Sequence, residues 1–95
     1  MPAYLIADIE VTNPAEFDEY RKGVPATIAQ YGGKYIVRGG ALESMEGGWK
    51  MNRVVILEFP TMAQAKAWYT SPEYKDLLAM RLRSTKSKAV LVEGL

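Results

Sequence analysis

Apolar and polar residues alternate along Ala3–Val11, with Ala3, Leu5, Ala7, Ile9 and Val11 on one side and Tyr4, Ile6, Asp8 and Glu10 on the other. A period of two with one dry side is that of a half-buried β-strand. The period then lengthens. Asn13-Pro14-Ala15-Glu16 supplies an N-cap, a proline suited to the first helical position and an early acid. Phe17, Tyr20, Val24, Ile28 and Tyr31 follow at helical spacing. The pattern predicts a helix ended by Gly32-Gly33, and kinked or shortened near Gly23 by Pro25. Lys34–Arg38 returns to alternation, Tyr35 and Val37 against Ile36 and Arg38, with a bulge or bend expected at Gly39-Gly40.

The second half repeats this grammar. Ala41–Glu46 continues the strand into a hairpin turn at Glu46-Gly47-Gly48-Trp49, and the return strand covers Lys50–Phe59. Within it Val55, Leu57 and Phe59 share a dry face. Val54, Ile56 and Glu58 share the other, which is apolar except for one acid. Thr61 opens a helix over Met62–Tyr69, with Gln64 completing a capping box. Ser71-Pro72 opens another over Pro72–Leu82, whose inner stripe of Tyr74, Leu77, Leu78 and Leu82 is apolar but for Arg81. Ser84–Ser87 reads as a polar loop and Ala89–Glu93 as a last strand. The order of strand, helix, two strands, helices and strand defines an α+β fold. It is the ferredoxin-like split βαβ, a four-stranded antiparallel sheet with helices on one face. Residues 1–95 form one such domain, with no repeat or linker to divide them.

Helices cover one side of this sheet, expected to be that of Leu5 and Leu57. The other side is expected to carry Tyr4, Ile6 and Asp8, then Ile36 and Arg38, then Val54, Ile56 and Glu58, and Ala89, Leu91 and Glu93. So apolar a face calls for cover. A second copy packed sheet to sheet supplies it, so a homodimer is expected. The charged set Asp8, Arg38 and Glu58, with Arg53 as a further candidate, then has three readings. It is an ion-pair network that fixes register, the more economical choice. Or it is a pocket in which Arg38 clamps an anionic oxygen and Glu58 or Asp8 moves a proton. Or the strand parity differs and some of these groups face solvent.

Composition narrows the chemistry. The chain has no cysteine and no histidine, which removes disulfides, thiolates, the commonest metal ligand and the commonest general base. No metal or cofactor is expected. A net charge of +1 gives no electrostatic reason to expect nucleic acid or a membrane surface as partner. No apolar run reaches the roughly 20 residues of a transmembrane helix, and no signal peptide is visible, so a cytoplasmic location is expected. Trp49, beside two glycines, suits an interface anchor. Trp68, Tyr69 and Tyr74 cluster where the late helices meet, as core or as an aromatic wall. Arg81, Arg83, Lys86 and Lys88 resemble a basic patch. Ser71 is a cap without an activating partner.

Five stretches together carry a resemblance: Tyr4–Thr12, Tyr31–Gly40 with its Arg-Gly-Gly, Arg53–Pro60 with Glu-Phe-Pro, Trp68–Tyr74 with Ser-Pro-Glu-Tyr, and Leu91–Gly94. In this order they resemble the family called domain of unknown function 1330, over nearly the whole chain. The resemblance implies a ferredoxin-like subunit of the dimeric α+β barrel superfamily, two sheets closing into one barrel. It brings no reaction. Haem enzymes of the wider superfamily would want an axial histidine, and its monooxygenases with an Asn, Trp and His set find no match here.

Two functions are therefore carried forward. The first is a homodimer binding a small-molecule ligand, an organic acid or aromatic compound, as a cofactor-independent enzyme or a binder. Arg38 would hold anionic oxygen, Trp68 and Tyr74 would form walls, and Glu58 or Asp8 would be the acid–base group. The alternative is a non-catalytic structural or interaction dimer. A void of roughly 300 Å³ or more, lined by Arg38 and Glu58, favours the first. A filled, ion-paired core favours the second.

Overall fold

The alternation at the N-terminus builds the middle of a sheet. In the computed structural model, which describes residues 1–95, β1 (Ala3–Val11) pairs antiparallel with β3 (Val54–Phe59) on one side and β4 (Thr85–Glu93) on the other. Strand β2 (Lys34–Arg38) pairs with β3, giving the order β2-β3-β1-β4. Helices α1 (Pro14–Gln30), α2 (Met62–Tyr69) and α3 (Pro72–Ser84) lie on one face. This is the four-stranded antiparallel α+β ferredoxin-like arrangement.

Each helix begins where its cap dictates. Asn13, Thr61 and Ser71 accept the backbone N–H of Glu16, Gln64 and Tyr74 through their side chains at 3.3, 3.1 and 3.2 Å. Just past the end of α1 stands Gly32, whose φ of +79° is the left-handed conformation glycine adopts without penalty. Helix α1 runs unbroken through Pro25, so the shortening expected near Gly23 does not occur. An interior proline costs about 3 kcal/mol. Phe17 and Tyr20 before it, and Val24, Thr27 and Ile28 around it, all bury against the sheet, and that burial offsets the cost.

The core lies between the sheet and the helices. Ala3, Leu5, Ala7, Ile9, Leu57 and Phe59 meet Phe17, Val24, Ile28, Ala65, Trp68 and Tyr74. Three expectations change around it. The stretch after Ser84 is strand, not loop: Ser84 ends α3 and Thr85 begins β4 directly. Their hydroxyls donate to the carbonyls of Met80 and Arg81 at 2.8 and 2.6 Å, satisfying the last helical acceptors. The register that follows puts Ala89, Leu91 and Glu93 opposite Ala7, Leu5 and Ala3 on the helix side, and Val90 and Val92 opposite Ile6 and Tyr4 on the open side. This reverses the expected parity of β4. Finally, the turn at Gly47-Gly48 forms, but Ala41–Glu46 and Lys50–Arg53 form no ladder. Residues 41–52 contain no β-branched residue to favour one.

The open face of the sheet carries Ile6, Ile56, Val90 and Val92, with Ile36 nearby on β2. Ile36, Val90 and Val92 are 46, 56 and 44% exposed, and Trp49, beyond the sheet, is 72% exposed.

Candidate functional site

Cationic side chains gather on the helix side of the sheet. One irregularity in β2 brings Arg38 there. Tyr35 pairs with Leu57 and Val37 with Ile56, so one extra residue is accommodated between them. A bulge of this kind turns every later side chain over. Arg38, opposite Val55, therefore joins Tyr35 on the helix side, and its guanidinium lies 4.5 Å from the centre of the Tyr35 ring. This corrects the expectation that Arg38 shares a face with Asp8 and Glu58. The bulge falls two to three residues before the glycines at which it was expected.

Arg53 approaches from the other end of the connection. Asp8 fixes this point: its Oδ1 accepts the backbone N–H of Asn52 at 2.8 Å and of Arg53 at 3.3 Å. The Arg53 guanidinium lies against the backbone of Gly39, where φ is +69° and a Cβ would stand 2.6 Å from Cζ. Only glycine leaves that space open. The Nε of Arg53 is buried and has no acceptor. Burial, and then the nearby Arg21 and Arg38, hold the Arg53 guanidinium below its usual pKa. Arg21 makes one loose exposed ion pair, with Asp18 at 3.7 Å; Arg38 and Arg53 make none.

These three arginines border a cavity of about 40 Å³ between the sheet and the three helices. Its floor is apolar, from Leu5, Ala7 and Leu57, and its inner wall is aromatic. Trp68 and Tyr74 are each 1% exposed, with ring centres 4.1 Å apart. Trp68 Nε1 donates to Thr27 Oγ1 at 3.0 Å. The hydroxyls of Tyr20 and Tyr74 stand 2.8 Å apart. Behind them Arg81, 4% exposed, donates from Nε to the Tyr74 hydroxyl at 3.3 Å and from Nη1 to Ser87 Oγ at 2.8 Å. Burial, with the Tyr74 hydroxyl beside it, raises the Tyr20 phenol far above the ordinary range. Burial also raises Tyr35, against the pull of Arg38.

No carboxylate lines this cavity. Guanidinium groups donate and never accept, so the cavity presents donors with few acceptors among its own walls. Its volume has room for about three water molecules, or one carboxylate head, by the usual allowance per buried water. That is below the roughly 300 Å³ of a typical ligand pocket. It is equally not an ion-paired core.

The five residues singled out from sequence divide into two groups. Arg38, Trp68 and Tyr74 border the cavity. Asp8 and Glu58 do not; both belong to the open face. Glu58 pairs with Lys34 Nζ at 3.2 Å and accepts from the Tyr4 hydroxyl at 3.3 Å, tying together three strands. Tyr20, Tyr35 and Arg21 were not singled out. Arg81 carried a visible signal, since it interrupts an otherwise apolar helical stripe, but was grouped with Arg83. The structure separates them: Arg83 pairs with Glu16 at 2.8 Å on the surface. No group of three or more His, Cys, Asp or Glu stands together to hold a metal ion, and no helix is long and apolar enough to cross a membrane.

Fold and cavity together define a ferredoxin-like α+β domain with an arginine-rimmed hollow between sheet and helices. Residues 2–95 match the family described as "Domain of unknown function (DUF1330)", and the chain belongs to that family. Among solved structures, a protein of unknown function from Rhodopseudomonas palustris is similar at 16% identity, with 99% of this chain and 82% of that one covered and a TM-score of 0.79. A dimeric ferredoxin-like protein of unknown function from Jannaschia sp. CCS1 is similar at 14% identity, covering 99 and 100%, with a TM-score of 0.67. SnoaB, a cofactor-independent oxygenase from Streptomyces nogalater, is similar at 13% identity, covering 99 and 93%, with a TM-score of 0.64. These likenesses establish the fold. No curated protein matches the chain.

Proposed function

We propose that this protein is a homodimer whose subunits each bind a small organic anion, with the anionic head in the cavity rimmed by Arg21, Arg38 and Arg53. One observation carries the reading: four arginines line a hollow without a carboxylate, Arg21, Arg38 and Arg53 at its rim and Arg81 within, and the buried Nε of Arg53 has no acceptor. Like charges held together at a cost call for a counter-charge, and an anionic ligand provides it. The small volume selects the head group. In this reading Asp8 positions Arg53 and Glu58 fastens strands, and neither moves a proton.

The dimer rests on the open sheet face, whose exposed Ile36, Val90 and Val92 call for cover. The description of the Jannaschia protein as dimeric supports it. The finer reading is a cofactor-independent enzyme acting on such an anion; the fold shared with SnoaB is compatible with it, and the donor-rich cavity gives it a chemical basis. The small cavity favours a second reading, a non-catalytic dimer whose arginines hold only solvent anions.

Titration with benzoate at constant ionic strength, followed by calorimetry, separates the two. Saturable binding of one benzoate per subunit is expected. Arg38→Ala weakens it roughly tenfold or more, the scale of a lost charged hydrogen bond, while leaving the oligomeric state unchanged. Absence of saturation, or equal affinity in the variant, refutes the proposal and leaves the second reading.

A further inference from the structure

At the inner end of the cavity, the Tyr20 and Tyr74 hydroxyls share one hydrogen bond, 2.8 Å long. The pair owns two protons, and that bond uses one. Arg81 Nε spends its own proton on the Tyr74 oxygen and accepts nothing in return. One phenolic proton is therefore left over, and neither hydroxyl has another acceptor in the protein. Both tyrosines border the cavity. The surplus proton is consequently available to a ligand, and its donor oxygen is polarised by a buried guanidinium that no acid neutralises.

We infer that the Tyr20–Tyr74 pair, backed by Arg81, is an oxyanion subsite that takes the deprotonated oxygen of an enol or phenol. The inference rests on the anion-binding reading above and gives it a substrate class. Preorganised donors in a water-poor site favour the charged oxygen over its protonated form. The ionisable groups bearing on the pair are Arg81 on α3 and Tyr35 on β2, besides the two phenols themselves. With no carboxylate, histidine or amine lining the cavity, nothing there takes up the ligand's proton, so that proton leaves to solvent on binding. The high phenol range of Tyr20 keeps its own proton in place throughout.

The geometry also orders the two tyrosines. Removing the Tyr20 hydroxyl leaves Arg81 joined to Tyr74, whose proton is then free for the ligand. Removing the Tyr74 hydroxyl cuts Arg81 out of the chain. The two losses are therefore unequal.

The test uses 4-nitrophenol, whose phenolate is yellow, beside benzoate, which is anionic throughout the same pH range. The full-length protein is titrated with each. Bound 4-nitrophenol is expected to ionise at least one pH unit below the free compound, a tenfold or greater preference for the phenolate. In Tyr74→Phe that preference falls about tenfold relative to benzoate affinity, whereas Tyr20→Phe keeps most of it. If benzoate binds but 4-nitrophenol does not, or ionises at its free value, the subsite is refuted and the anion-binding reading survives. A lowered ionisation that persists in Tyr74→Phe assigns the effect to the arginine rim and also refutes the subsite. If neither compound binds, both fall. Ionisation of bound 4-nitrophenol at its free value in the wild-type protein refutes the subsite whether or not a variant folds.

Discussion

Replacing Arg53 with methionine should make the empty protein more stable. Its Nε is a buried donor without an acceptor, a state that costs about 1–3 kcal/mol. Arg21 and Arg38 add repulsion on the scale of ~1 kcal/mol at contact distance in water-like screening. Against these gains stands the contact of its guanidinium with the Phe17 ring, 5.9 Å from the ring centre and worth about 0.5–1 kcal/mol. Methionine keeps most of the apolar stem. The balance is a stabilisation of about 1–3.5 kcal/mol, which for a domain of this length is a rise in melting temperature of roughly 4–28 °C. Thermal unfolding in low-salt buffer, followed by circular dichroism, measures it. The same experiment repeated with saturating benzoate completes the argument, because a ligand that binds only the folded state raises the wild-type midpoint. The Arg53→Met midpoint should barely respond. A variant that melts below wild type by the same margin with and without benzoate would refute the reasoning, since Arg53 would then be an ordinary packing residue.

Two further outcomes follow from other parts of the molecule. Tyr20 ionises far above an unfolded tyrosine, so its contribution is fully present below about pH 10 and is lost as pH rises beyond that value, where only the unfolded chain gives up the proton. The alkaline limb of a stability profile should flatten in Tyr20→Phe, and an unchanged limb would show that the pair does not hold the proton. On the open sheet face, Val90→Lys with Val92→Lys should convert a dimer into a monomer in analytical ultracentrifugation at micromolar concentration; a wild-type monomer, or a variant that still dimerises, would refute the sheet-to-sheet assembly.

The fold was legible because its signals are local. The alternation of Ala3–Val11, three capped helix starts and a dry β3 face each act within a few residues, and together they admit few topologies. The candidate site was legible only in part. Trp68 and Tyr74 sit on a helical pattern whose inward side is readable. Arg38 was recognised as a candidate but assigned to the wrong face, because the extra residue between Tyr35 and Val37 leaves no composition mark in Lys-Tyr-Ile-Val-Arg. Asp8 and Glu58 attracted attention as acids among apolar residues, yet that environment equally suits groups that accept backbone and side-chain hydrogen bonds. Tyr20 and Arg81 meet only through the packing of α1 on α3, a contact that neither segment announces alone.

The excursion between Arg38 and Arg53 has its two ends pinned. Gly39 N donates to Val54 O at 2.8 Å, Arg53 O accepts from Ile9 N at 2.9 Å, and Asp8 holds Asn52 and Arg53. Everything between these points, Gly40–Met51, is tied to the sheet by none of those bonds. Lengthening such a closed segment costs only a slowly growing entropy, about 0.6 kcal/mol for each doubling. The chain therefore separates what must stay constant from what is free to diverge: inheritance can rewrite a dozen residues, with their protruding Met45 and Trp49, without disturbing the spacing of the two guanidinium groups at their base.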